Sequence, residues 1–337
     1  MPKTRVVGLD LGTRGVRAAE VELGGRSGPK LVRFGEQPLD PGVIRDGEVA
    51  RPAAVVAALR ELWKRERFGS REVALGIGNQ RVFVREFSQP ALPLDQLRAS
   101  LRYGPVQDLL PVKVEDCLLD FHPVALPGDG TVDGMLVAAP EETVETNTSA
   151  VTAAGLKPVR VDLNAFALLR SLIEGQLLHE VVGIVDVGAG ITDVVIVDRG
   201  LLRQYRTLPT ASDDLTHAVQ QAMAVPETQA EQIKRSVGLT DAGGADYAPA
   251  REAARRRVEG LAESVRATFS YYAGATQRPV ERLLLTGRGS LVPGLAQLLA
   301  TGLGVRVAYG QVGTDRVSDL QRPVLPIAFG LAQGLAA

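Results

Sequence analysis

The sequence predicts a two-domain α/β protein, built on central mixed sheets, with a ligand cleft between its halves. Three observations carry that prediction. A strand-like apolar run ending in Asp-x-Gly occurs twice, as VVGLDLGTRGVRAAEVE around Asp10 and as VVGIVDVGAGITDVVIVD around Asp186. Each reads as strand, glycine-bearing turn and strand, so two hairpin tips present a carboxylate and free backbone N–H groups. At 337 residues the chain exceeds the usual size of one hydrophobic core. Helical periodicities alternate with short apolar runs over the remaining length, the pattern of layered helices and strands.

Two such tips suit a phosphate chain. Turn amides form anion-attracting concavities, and a carboxylate reaches a phosphate-bound Mg²⁺ through water because hard cations choose oxygen ligands. Asp10 and Asp186 are the expected metal-side carboxylates, one from each half-site.

Composition removes several classes of function. Apolar residues make up 45% and charged residues 23%, as in ordinary globular chains, and the net charge of −1 gives no basic surface for nucleic acid. One cysteine, Cys117, excludes an intrachain disulfide and any multi-cysteine metal site, and three scattered histidines do not build a zinc site. A reducing, cytoplasmic setting is expected, and the start MPKTRVVGLDLG has no apolar run long enough for a signal or a span. Membrane association is then expected only through a partner or a surface helix, without direct insertion.

After the first hairpin, KLVRFGEQPL reads as a third apolar stretch and Ala54 to Lys64 as a helix with Val55, Val56, Leu59, Leu62 and Trp63 on one stripe. REVALGIGNQRVFVREF alternates like strands around a Gly78-Asn79 turn. A helix from Leu94 to Tyr103, a proline-interrupted break, a strand ending near His122, a glycine-rich loop PGDGTVDG and a strand MLVAAP follow. Glu141 to Ala154 is helical and stops at Gly155, and PVRVDLNAFALLRSLI gives a strand feeding a helix. Beyond the second hairpin, helices are expected from Asp213 to about Val225, over TQAEQIKRSVG, and over REAARRRVEGLAESVRATFSYYAG, after the linker-like TDAGGADYAPA. RLLLTGRGSLVPGLAQLLATGLGV reads as buried strand, Gly-rich turn and helix, and PIAFGLAQGLAA as a last helix rich in small residues. Leu101, Tyr103, Leu109, Leu110 and Phe121 read either as core or as a peptide-binding groove.

Five motifs, in order, give the chain a resemblance to the actin-like ATPase superfamily of actin, FtsA, MreB, DnaK-type chaperones and sugar kinases. Asp10, Gly12, Thr13 and Arg17 match its first phosphate motif, with Arg17 where actin-like proteins often place lysine. Asp186, Gly188, Ala189, Gly190, Thr192 and Asp193 match the second. Gly287, Gly289, Ser290 and Gly294 match the adenosine motif, while Glu231 and Lys234 fall where relatives contact ribose and adenine. Residues 163 to 173 and 324 to 335 match the two linking helices. Within the superfamily, LRASLRYGPVQDLLPVKVEDCLLDFHPV, AAGLKPVRVDLNAFALLR and LQRPVLPIAFGLAQGL are similar to segments of the PilM family of type IV pilus assembly proteins, small relatives of FtsA.

The resemblance implies an actin-like (ribonuclease H-like) fold. Its first domain would span 1–160, with an inserted FtsA/PilM-type subdomain at about 88–158 and a connecting helix in 161–180. The second would span 181–323 with a helical subdomain at 212–276, and 324–337 would return to the first domain. It also implies ATP and Mg²⁺ between the domains, and a scaffold docking the cytoplasmic N-terminal peptide of an inner-membrane PilN-type protein beside other pilus components, with self-association left open. Two departures stand out. Arg288 occupies a position where relatives have glycine, so a side chain there obstructs the base or stacks on it. The first linking helix offers no clear catalytic glutamine or glutamate, leaving Asp162 and Asn164. The competing readings are a filament-forming FtsA- or MreB-like protein, against which the end at Ala337 without an amphipathic helix counts for FtsA, and a small-molecule kinase of the same fold.

Overall fold

Val7 and Leu9 on one face and Ala19 and Val21 on the other in the first hairpin, and Val182, Ile184, Val194 and Val195 in the second, are fully covered, so both faces of each sheet must carry packed helices. The computed structural model describes residues 4–24, 28–103, 105–125 and 130–336; the expected loop residues Pro127, Gly128 and Asp129 lie outside them, as does Ala337. The first half contains β1 (Thr4–Gly12), β2 (Gly15–Leu23), β3 (Lys30–Pro38), the short pair β4 (Ile44–Arg45) and β5 (Glu48–Val49), β6 (Glu72–Ile77), β7 (Phe83–Pro90), β8 (Cys117–Ala125), β9 (Thr131–Pro140) and β10 (Lys157–Leu163). Its helices are α1 (Pro52–Glu66), α2 (Leu94–Ser100), α3 (Val106–Leu109), α4 (Glu141–Ala153) and α5 (Asn164–Leu172). The second half contains β11 (Val181–Val187), β12 (Thr192–Asp198), β13 (Leu201–Leu208), β14 (Arg282–Thr286) and β15 (Arg306–Tyr309). Helices α6 (Ser212–Met223), α7 (Glu227–Ser236), α8 (Ala248–Thr276), α9 (Leu295–Leu303) and α10 (Leu325–Gln333) complete it.

Two five-stranded sheets share one topology, β3-β2-β1-β6-β10 and β13-β12-β11-β14-β15. In each, three antiparallel strands are followed by two parallel ones, which helices on the sheet faces connect. The repeat extends to register: Asp10 faces Arg17 across its hairpin as Asp186 faces Asp193 across the other. Val55, Leu59 and Leu62 of α1 cover the first sheet, and Val258, Leu261, Val265 and Phe269 of α8 cover the second. Helices α5 and α10 pack against one another, and α10 also lies on β1 and β2. That crossing is close because of glycine: a β-carbon at Gly330 would collide with the Ala167 carbonyl, and one at Gly8 with the Ala328 carbonyl.

Three local expectations change. The strands flanking Gly78-Asn79 do not pair: β6 joins the first sheet and β7 a separate three-stranded sheet, β7-β9-β8. Thr131 to Gly134 are strand rather than loop, because Gly134 leaves room for the Phe121 ring that packs over it. Helix α2 ends at Ser100, whose hydroxyl donates to the Leu97 carbonyl, short of Tyr103. The strands of the inserted unit run from Phe83 to Pro140, while β10 joins the first sheet and α4 packs beside α1.

Candidate functional site: a cleft between two hairpin tips

The two hairpin tips converge. Gly190 sits so close to Thr13 that a β-carbon there would lie 2.7 Å from the threonine Oγ1. Beside this contact a cavity of about 290 Å³ opens between the sheets. Asp10, Gly12, Thr13 and Arg17 line it from the first sheet, and Asp186, Gly188 and Ala189 from the second. Gly188 N–H is taken by the Ile191 carbonyl, so the second turn is held by its own backbone.

The charges here do not balance. Asp10 accepts from Arg17 Nη1 at 2.9 Å, yet burial outweighs that pairing and raises its carboxyl above the usual range. Asp186 is raised well above the ordinary value by burial first, then by repulsion from Asp193 and Asp10. Asp193 is 2% exposed and pushed up to about 6, again by burial, against hydrogen bonds from Thr207 and Tyr205 at 2.8 and 2.9 Å. Asp10, Asp186 and Asp193 gather where β-strand ends meet, each raised by burial and by repulsion from a neighbouring carboxylate. A divalent cation would relieve that repulsion, so the donor set fits Mg²⁺.

The other end of the cavity is formed by the second half. Lys234 and Glu231, both lining it, pair at 2.6 Å. The ammonium, 3% exposed, also donates to Ser212 Oγ and Thr216 Oγ1, each at 2.8 Å, and burial lowers its pKa. Burial pushes Glu231 up, but its hydrogen bonds from Lys234 and Thr216 more than offset this and leave it below the usual carboxylate range. The Gly287-Arg288-Gly289 turn follows β14, with Gly287 at φ 81°. Leu291, Val292, Pro323 and Val324 give this end apolar walls. Apolar walls with a polar edge suit a planar heterocycle, and the hairpin end suits phosphates.

Several expected residues stand elsewhere. Asp162 does not line the cavity: it pairs with Arg170 and accepts the Leu163 N–H, which fixes the start of α5. Asn164 does line it; its side chain bonds Asp193, and its buried Oδ1 has no partner among the described residues. Thr192 is fully buried and donates to the Thr210 carbonyl, and Ser290 Oγ donates to Gly287 O at 2.6 Å, so both hold turns rather than face the cavity. The proposed groove dissolves as well. Leu101, Leu110 and Phe121 belong to the core of the inserted unit, where they pack with Leu97, Val106, Val132 and Leu136; Tyr103, 90% exposed, and Leu109 remain outside.

The side chains that join the halves include Arg288, which the sequence singles out, and others that it does not. Arg14, at the first tip, donates to Asp213 at 2.7 Å and Glu227 at 2.6 Å, and Arg288 pairs with Glu36 of β3. Arg14 lay inside the first motif and gave a signal by position; Glu36 gave none.

Among known proteins, the family model of type IV pilus assembly protein PilM matches residues 8–318. A solved structure, the PilM-PilN type IV pilus biogenesis complex, is similar over 99% of this chain and 98% of that one, at 27% identity and a TM-score of 0.81. The ethanolamine utilization protein EutJ from Carboxydothermus hydrogenoformans shares the fold at 17% identity and a TM-score of 0.60, covering 98% of this chain and 90% of its own. MreB 5 of Spiroplasma citri bound to AMPPNP shares it at 13% identity and 0.55, covering 92% of each chain. With two sheets of one topology closing on a two-carboxylate cleft and a family match over nearly its whole length, this chain belongs to the family of type IV pilus assembly protein PilM.

Proposed function

We propose that this chain is an ATP-binding, actin-like scaffold of type IV pilus assembly that docks the cytoplasmic N-terminal peptide of an inner-membrane PilN-type protein and is held at the membrane's inner face through it. The observation that carries the nucleotide half is the convergence of Asp10, Asp186 and both turns on one cavity with an apolar far end. The partner half is supported by the similarity to a PilM-PilN complex over 99% of the chain. Among the described residues no helix is long and apolar enough to cross a membrane, which agrees with attachment through a partner.

In this reading Asp10 and Asp186 hold Mg²⁺ through water, and the metal supplies charge neutralisation on the phosphates. Arg17 and the turn amides of Gly12, Thr13 and Ala189 take phosphate oxygens, while Gly188, its own N–H committed to Ile191, shapes the turn. Glu231, Lys234 and the Gly287–Gly289 turn border the nucleoside. Asn164, whose Oδ1 at the cavity wall has no partner among the described residues, is the side chain assigned to holding a water there. Because the ligand touches both halves, its binding free energy favours whichever interdomain angle makes more contacts, and the inserted unit moves with that angle.

Calorimetry with the full chain tests both parts. ATP with Mg²⁺ should bind, and Asp10→Ala should weaken it by at least tenfold and abolish the Mg²⁺ dependence; unchanged affinity refutes the metal assignment. The N-terminal peptide of the PilN-type protein should bind with an affinity that changes when ATP is present. Absence of binding in both conditions removes the docking role.

A further inference from the structure

Register places Asp10, Arg17 and Glu36 side by side on three adjacent strands, β1, β2 and β3. Arg17 donates to Asp10 at 2.9 Å and to Glu36 Oε1 at 3.1 Å, and the other carboxylate oxygen, Oε2, takes Arg288 Nη2 from the opposite half. The result is one row of alternating charge that starts in the first sheet and ends across the cleft. Both guanidiniums line the cavity, whereas Glu36 is not among its lining residues and stands behind them.

A guanidinium is a planar fork of donors, and phosphate oxygens compete with carboxylates for it. One carboxylate that binds two forks on their far edges fixes their positions and leaves their remaining N–H groups for a ligand. Local chain geometry does not require this arrangement, since Arg288 and Glu36 are distant in sequence and joined only by the fold.

We propose that Glu36 is a positioning residue for the polyphosphate of a bound nucleotide: it sets Arg17 and Arg288, one from each half, as a two-sided clamp on the phosphates. The inference rests on the nucleotide reading of the cleft. It assigns Arg288 to the phosphate chain rather than to the base, and it makes the count of phosphates the quantity that the clamp reads.

The test is isothermal titration calorimetry of the full chain with AMPPNP and with AMP, in wild type, Glu36→Gln, Arg288→Ala and the double variant. Gln keeps the shape of Glu36 and removes its charge. The preference of the wild type for AMPPNP over AMP should fall about tenfold in each single variant, and the double variant should lose no more than Glu36→Gln alone. A purely structural role for Glu36 would lower both affinities together and leave their ratio unmoved, which overturns the proposal, as does additive loss in the double variant. Should Glu36→Gln fail to fold, Arg288→Ala alone decides by the same ratio. A wild type that binds neither compound overturns the nucleotide reading itself, an outcome distinct from normal binding with an unchanged ratio.

Discussion

Asp193 offers a stability measurement whose sign is fixed by its surroundings. Its carboxyl is almost fully buried and its pKa stands at about 6 against an ordinary 3.8. The folded chain therefore holds this proton more tightly than the unfolded chain does. The contribution is fully present below the unfolded value and is lost as pH rises through about 6. A shift of about two units corresponds to a penalty of about 3 kcal/mol above pH 7. Asp193→Asn removes the charge while keeping an oxygen that can accept from Tyr205 and Thr207, the two donors on Oδ1. Urea unfolding in EDTA across pH 4.5 to 8 should show the variant gaining on the wild type as pH rises. The gain should level off at roughly 1–3 kcal/mol near neutrality, the lower bound allowing for imperfect replacement of the hydrogen bonds. A difference that stays flat with pH, or a variant that loses ground as pH rises, would refute the argument that burial governs this carboxylate.

Two further substitutions probe the frame. Gly330→Ala places a methyl group against the Ala167 backbone, which cannot yield as a side chain tip would, so unfolding free energy should drop by about 3 kcal/mol or more with a matching fall in Tm. Tyr272→Phe deletes the hydroxyl that donates to buried Asp198 at 2.8 Å; Arg278 still pairs with that carboxylate, and a loss of about 1–2 kcal/mol in urea melts is expected.

Both hairpins were legible because each is a local object: apolar strand, turn glycines and a tip carboxylate lie within a few residues, and a second copy repeats the pattern. The helices of the second half were legible for the same reason, since Val258, Leu261, Val265 and Phe269 mark one face by spacing alone. What spacing does not encode is direction across space. Asp162 sits one strand end from the cavity, and its pairing with Arg170 of α5 turns it away. Leu101, Leu110 and Phe121 carry the same residue types whether they line a groove or fill an interior, and only the position of the small sheet decides. Glu36 had no signal at all, because its partner Arg288 comes from the other half of the molecule. Gly134 differs for another reason: a glycine ordinarily interrupts a strand, whereas here its use is to admit an aromatic ring.

Helix α10 bears on how the molecule is made. Ala19, Val21, Leu23 and Leu31, near the beginning of the chain, share their apolar cluster with Leu325, Ala328, Phe329 and Ala332. During synthesis β2 and β3 therefore wait until the segment from Leu325 to Ala332 has been made before their outer face is sealed. A chain broken just before Leu325 would leave that face covered only by Val312 and Val317, so such a fragment should aggregate rather than work as a half.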